Sequence, residues 1–186
     1  PTLATMCSRQ LPIQHTFYAN SVTLDATATG TTYGTSLDDG SGPSERTYPS
    51  MAWDDEEQAL YLFGGMTNAS PMYIDVNDEV WRWQDGTWEE LETSGDTPSQ
   101  RTFLGEAYDT KRQRLILFSG QVGDYWSYAY NDTYALDMQT LEWTELNDGD
   151  DAPSTRMHPH AVYDAERDRY LLFGGHTDIG DGNDLW

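Results

Sequence analysis

YDAERDRYLLFGG, residues 163–175, is the stretch from which the fold is read, because it returns at a fixed interval. Its earlier copies are WDDEEQALYLFGG from Trp53 and YDTKRQRLILFSG from Tyr108. Superposing the copies aligns Asp54, Asp109 and Asp164, then Phe63, Phe118 and Phe173, each 55 residues after the last. Pro43, Pro98 and Pro153 keep that step, as do Arg46, Arg101 and Arg156. Residues of four types held to one interval identify a structural repeat, in which each unit meets only its neighbours.

Within one unit, turn signals separate short apolar runs. A strand ending near Trp53 is followed by the polar turn Asp54–Gln58 and a second strand, Ala59–Gly65. Tyr61 and Phe63 alternate with Leu60 and Leu62, so this strand is apolar on both faces and is expected between stacked sheets. A third strand is predicted from Glu79 to Trp83, and Asp85-Gly86 then marks a two-residue hairpin into a fourth strand, Thr87–Leu91. Four antiparallel strands joined as a meander make one propeller blade, and a period of about 40 to 55 residues agrees with that architecture. The repeat reaches back before Pro43: Asn20–Tyr33 resembles Asn131–Trp143, and Tyr33, Trp88 and Trp143 are again 55 apart.

Composition limits what such an array can meet. The chain has 186 residues, with 32 acidic against 10 basic side chains and Lys111 as its one lysine, for a formal charge of −22. That charge repels phosphate backbones and anionic headgroups, so nucleic acid and membrane surfaces are poor candidate partners, and a neutral or basic partner is favoured. No apolar run approaches the ~18 residues of a membrane span. Cys7 is the sole cysteine, which excludes an internal disulfide framework.

The diglycine after an apolar strand, the Asn-Asp that opens the next strand with Trp81, Tyr134 or Trp186 close behind, and the later Trp88 or Trp143 resemble the kelch repeat. The resemblance covers residues 18–186, departing where Ser119 replaces the first glycine of the second copy. It is nearest to kelch arrays of bacterial and extracellular proteins. It implies an all-β kelch-type β-propeller segment of about three blades, an incomplete ring given the roughly 4 to 8 blades of a closed propeller. The expected divisions are an irregular lead-in over 1–17, the end of one blade over 18–42, blades over 43–97 and 98–152, and a partial blade over 153–186. The remaining blades are expected from the same or another chain.

Successive turns of a meander alternate between the two faces of the disc, so the post-diglycine loops share a face with the connections between blades. Those loops, Met66–Val76, Gln121–Tyr130 and His176–Gly182, are the variable parts of the unit, and variable loops on a rigid scaffold are where binding is built. QVGDYWSYAY, residues 121–130, is rich in aromatic side chains, which give large contact area at low entropic cost. The candidate binding residues are therefore Asp124, Tyr125, Trp126, Tyr128 and Tyr130, with His176 and Asp178 from the third loop. The competing reading packs Tyr128 and Tyr130 onto the neighbouring blade.

Other chemistry is weighed against the repeat itself. Asp148, Asp150 and Asp151, and Asp178, Asp181 and Asp184, could offer oxygen ligands to calcium, but neither cluster has the spacing of a calcium loop, so ordinary acidic loops are favoured and no cofactor is expected. His158, His160 and His176 are read as structural. Arg46, Arg101 and Arg156 either ring a central channel or brace the turn between blades, the bracing role being favoured. No nucleophile elbow or phosphate-cradling loop is present. Some kelch propellers carry a copper radical oxidase site that needs a cysteine crosslink, but Cys7 lies outside the repeats. The expected role is a binding or assembly module for a protein or glycan, in an extracellular or, alternatively, cytoplasmic setting. The alternative function is the propeller part of a secreted enzyme such as a carbohydrate oxidase. On a eukaryotic secretory route, the sequon at Asn68 is the expected glycan site in preference to Asn131.

Overall fold

A computed structural model describes residues 22–23, 35–36, 40–70, 73–122, 129–147 and 152–186. The proposed lead-in, Cys7, the candidates Asp124, Tyr125, Trp126 and Tyr128, and the cluster Asp148, Asp150 and Asp151 lie outside the described residues. Among those described there is no helix, and the antiparallel meanders of four strands are those expected of a β-propeller segment.

A short antiparallel pair, β1 (Val22–Thr23) and β2 (Thr35–Ser36), comes first. The first full blade contains β3 (Ser50–Asp54), β4 (Ala59–Phe63), an inserted hairpin of β5 (Met66–Ser70) and β6 (Tyr73–Val76), then β7 (Val80–Gln84) and β8 (Thr87–Leu91). Its four-stranded sheet has the order β3-β4-β7-β8. The second blade runs β9 (Ser94–Gly95), β10 (Gly105–Asp109), β11 (Arg114–Phe118), β12 (Thr133–Asp137) and β13 (Glu142–Asn147). The third supplies β14 (His160–Asp164) and β15 (Arg169–Phe173), the hairpin β16 (His176–Thr177) and β17 (Gly180–Asp181), and a third strand begun where Leu185 bridges Phe173.

Each turn is written in its residues. Asp54 accepts the amides of Glu56 and Glu57 at 2.9 and 3.3 Å, and Asp109 accepts those of Lys111 and Arg112 at 3.1 and 3.2 Å. The repeated aspartate is thus a turn cap, using its short side chain to satisfy amides that the bend leaves free. Asp85 and Gly86, at φ 52 and 87, form the left-handed pair that matches strand twist in a two-residue hairpin.

The innermost strands β3, β10 and β14 lie side by side around the axis, and most of the core forms where blade faces stack. Tyr61 stacks on Tyr108 at 6.1 Å, Phe63 meets the edge of Trp143 at 5.5 Å, and the Tyr108 hydroxyl donates to Asp54 at 2.6 Å. Phe63 and Phe118 are 0% and 2% exposed, and their equivalent in the third blade, Phe173, is 50% exposed. β9 adds an unexpected fifth strand, pairing parallel with β13 so that the segment leading into the second blade runs along that blade's outer edge. Gly95 permits it: a Cβ there would stand 2.4 Å from the Trp143 carbonyl oxygen.

One buried carboxyl is at odds with neutral pH. Glu106 of β10 accepts the Met51 amide of the neighbouring innermost strand, and protein atoms surround its carboxyl although a little side-chain surface remains. Burial, outweighing the backbone bonds from Met51 and its own amide, pushes it up to about 8 from an ordinary 4.5. Because the folded state holds this proton more tightly, the stability it contributes is complete below pH 4.5 and is lost as pH rises through about 8. Glu106→Gln keeps an acceptor for Met51 without the charge. It is expected to match the wild type near pH 5 and to exceed it by roughly 2 kcal/mol at pH 8, a difference that thermal melts across pH will read.

Candidate functional site

The face that carries the post-diglycine segments is built from three equivalent joints. Met66, Gln121 and His176 each bridge Thr47, Thr102 and Met157, residues just ahead of the innermost strand of the same blade. The segments expected as free loops are therefore hairpin-like: β5 pairs with β6, β16 with β17, and Gln121 bridges Ala129. The physical reason is that paired glycines at positive φ turn the chain back beside its own blade, where edge amides find partners.

Beneath the hairpins lie the repeated arginines, all buried. Arg46 donates to the Gly64 carbonyl at 3.0 Å and pairs with Glu79 at 2.7 Å. Arg101 donates to the Ser119 carbonyl at 3.0 Å and grips Asp132 with bonds of 2.6 and 3.0 Å. Arg156 repeats this with the Gly174 carbonyl at 2.8 Å and Asp184 at 2.9 Å. The backbone of the same residue holds the preceding blade, since the Gly65 amide donates to the Arg101 carbonyl at 3.2 Å. The arginines clamp the blades from within, Arg101 and Arg156 each as a planar fork on a carboxylate and Arg46 through one bond to Glu79.

This network corrects the alignment of the unit. Val80, Thr133 and Leu185 are the residues opposite Phe63, Phe118 and Phe173, so Glu79 is the counterpart of Asp132 and Asp184, and Asn131 corresponds to Asp78 rather than Asn77. It also explains Ser119. At Gly64 a Cβ would meet the Arg101 carbonyl oxygen at 2.5 Å; Ser119, at the same φ of 64, instead brings its hydroxyl to 2.6 Å from the Arg156 carbonyl as a hydrogen bond.

The sequence-derived candidates within the described residues fall in different surroundings. Tyr130 is half-buried, with the Arg101 guanidinium 4.2 Å from its ring centroid. His176 is exposed, and its Nδ1 lies 2.9 Å from Asp181 Oδ1. Asp178 is exposed at the tip of its hairpin beside Ile179. Asn68 stands on β5, opposite Asp75. Asp184 serves the Arg156 clamp, and the bonds from Arg156 and the Trp186 indole hold its carboxyl well below the usual range. Among the described residues no group of three or more His, Cys, Asp or Glu side chains is arranged to hold a metal ion.

A feature absent from the sequence reading stands at the centre of this face. Tyr48, Phe103 and His158 occupy one position of the unit, two residues after each arginine, and all three have left-handed backbones with φ of 52, 61 and 53. Their rings converge: Tyr48 lies 4.6 Å from Phe103 and 5.4 Å from His158, and Phe103 lies 4.1 Å from His158. Bulky residues are seldom left-handed, and such a conformation costs about 1 to 3 kcal/mol. Burial, with further lowering from His160 and His176, holds the His158 imidazole below its ordinary value, so the neutral ring is favoured. The 55-residue step that aligns the arginines would have found the trio.

Comparison with known proteins agrees with the repeat fold. Residues 57–186 match the family model described as the KLHDC2/KLHL20/DRC7 Kelch-repeats domain. The chain is 28% identical over 123 residues to acyl-CoA-binding domain-containing protein 5 of Arabidopsis thaliana, covering 66% of this chain and 18% of that protein. It is 30% identical over 119 residues to dynein regulatory complex subunit 7 of Chlamydomonas reinhardtii, covering 63% and 10%. It is also 30% identical over 160 residues to N-(sulfonatooxy)prop-2-enimidothioate sulfolyase of Thlaspi arvense, covering 76% and 43%. The chain thus spans less than half the length of each of these curated relatives.

Proposed function

Because the chain belongs to the kelch-repeat family, we propose that it is a protein-interaction module whose partner docks on the face bearing the post-diglycine hairpins. The observation that carries this reading is the contrast between the two parts of each unit. Strands, turn caps and arginine clamps repeat closely, while the segments after Gly65, Gly120 and Gly175 differ in length and in side chains on the same rigid joint. Exposed Glu45, Asp75, Asp78 and Asp178 give the face a negative charge, and the guanidinium groups beneath are buried and paired, so a neutral or basic partner is favoured.

Within that face the segment 121–130 is the proposed centre of contact, with Trp126 as its anchor. Trp126→Ala in the full-length protein is expected to weaken partner binding by about 2 kcal/mol or more while leaving the melting temperature nearly unchanged. Calorimetric binding and thermal melts on the same preparation test it. A variant that melts early with its affinity intact would show that Trp126 supports the fold and that the contact lies elsewhere.

An enzymatic reading has one observation in its favour, the similarity to a Thlaspi arvense protein whose name describes a lyase.

A further inference from the structure

We infer that Tyr48, Phe103 and His158 form an aromatic receptor at the axis of this face, and that it takes a cationic side chain, arginine or lysine, presented by a basic segment of the partner. The inference deepens the proposal above and rests on its choice of face.

Backbone and side chain disagree at these positions, and the disagreement points to a role for the rings. With φ near 50 to 60, each position would be relaxed by glycine. Two of the three precede proline, Pro49 and Pro159, which disfavours helical backbone in the residue before it. Each nonetheless carries an aromatic ring. Mutual packing accounts for Phe103, which is 3% exposed beneath its neighbours. It does not account for Tyr48, which is 39% exposed although its ring lies against both partners. A ring fixed by two others and open on its remaining side is a preorganised surface that loses little entropy when a ligand arrives.

The chemistry of that ligand follows from charge. The negative face of an aromatic ring attracts a cation, most strongly where water is displaced. The arginines of this face are paired and buried in their clamps, and the chain carries 32 acidic against 10 basic side chains, so its charge favours a positive group and disfavours a carboxylate. His158 is favoured as neutral and adds no repelling charge near pH 7.

The test is isothermal titration of the full-length protein at physiological salt with a short peptide of alternating Arg, Gly and Ser, and with a matched peptide carrying Glu in place of Arg. Tyr48→Phe keeps the ring, Tyr48→Asn removes it in a residue type that accepts left-handed backbone, and Tyr48→Leu keeps apolar bulk without a π face. All three have the same charge, so nonspecific attraction to an acidic protein cancels among them. The expected result is affinity for the arginine peptide within about twofold of wild type in Tyr48→Phe and a loss of roughly tenfold in Tyr48→Asn and Tyr48→Leu. Equal affinity in Tyr48→Phe and Tyr48→Leu, or tighter binding of the glutamate peptide, overturns the inference. If Trp126→Ala weakens the natural partner while the Tyr48 variants leave the arginine peptide untouched, the face is right and the receptor wrong. The reverse pattern upholds the receptor and moves the main contact away from segment 121–130.

Discussion

Arg101→Met is expected to destabilise the protein by about 3 to 5 kcal/mol, the range measured when one partner of a buried ion pair is removed. The guanidinium is buried, gives two bonds to Asp132 and one each to the Ser119 and Ser99 carbonyls, and lies beneath the Tyr130 ring. Removing it strands the Asp132 carboxylate and two carbonyl groups where water is scarce. Arg101→Lys is expected to lose most of the same energy, since an ammonium keeps the charge but cannot span the carboxylate and carbonyls in one plane. Replacing both partners, Arg101→Met with Asp132→Leu, should recover part of the loss, because no charge is then left unpaired. Urea unfolding of the three variants measures this, and an Arg101→Lys variant as stable as wild type would show that charge alone holds the joint.

Trp143→Ala is expected to cost about 3 to 5 kcal/mol, as a buried aromatic ring replaced by a methyl leaves a cavity that close-packed blades cannot fill. Trp143 is fully buried, opposes Leu136 on β12, and receives the edge contact with Phe63 across the boundary between blades. Trp143→Phe should cost clearly less. It keeps an aromatic ring for Phe63 and removes an indole N–H that finds no acceptor among the described residues. Chemical denaturation separates the outcomes, and equal losses in the two variants would mean that a smaller ring restores none of the packing against Phe63.

The fold was legible because its causes are periodic and local. Asp54 announces a turn, Asp85-Gly86 a hairpin, and Ala59–Phe63 a strand covered on both sides, each from a few adjacent residues. The parallel pairing of β9 with β13 was not legible: Ser94-Gly95 has no strand pattern, and its partner is nearly 50 residues away in sequence. The one-residue offset that makes Glu79 the equivalent of Asp132 was hidden because Asn77-Asp78 imitates the later Asn-Asp pairs, and the strand register and the Arg46 clamp distinguish them. At the candidate site, attention to composition favoured the aromatic run of segment 121–130. It passed over Tyr48, Phe103 and His158, which are single residues in their blades and become neighbours only when three blades meet at the axis. Left-handed backbone at an aromatic residue leaves no mark in a sequence beyond its place in the repeat.

The two-sided grip of the arginine has a consequence for how such an array can grow. Its side chain closes on the diglycine of its own unit, while its main chain docks on the diglycine of the unit before. One segment of the gene therefore encodes both plug and socket. A tandem duplication of that segment copies a finished joint together with the blade, and the new copy meets a compatible neighbour on either side.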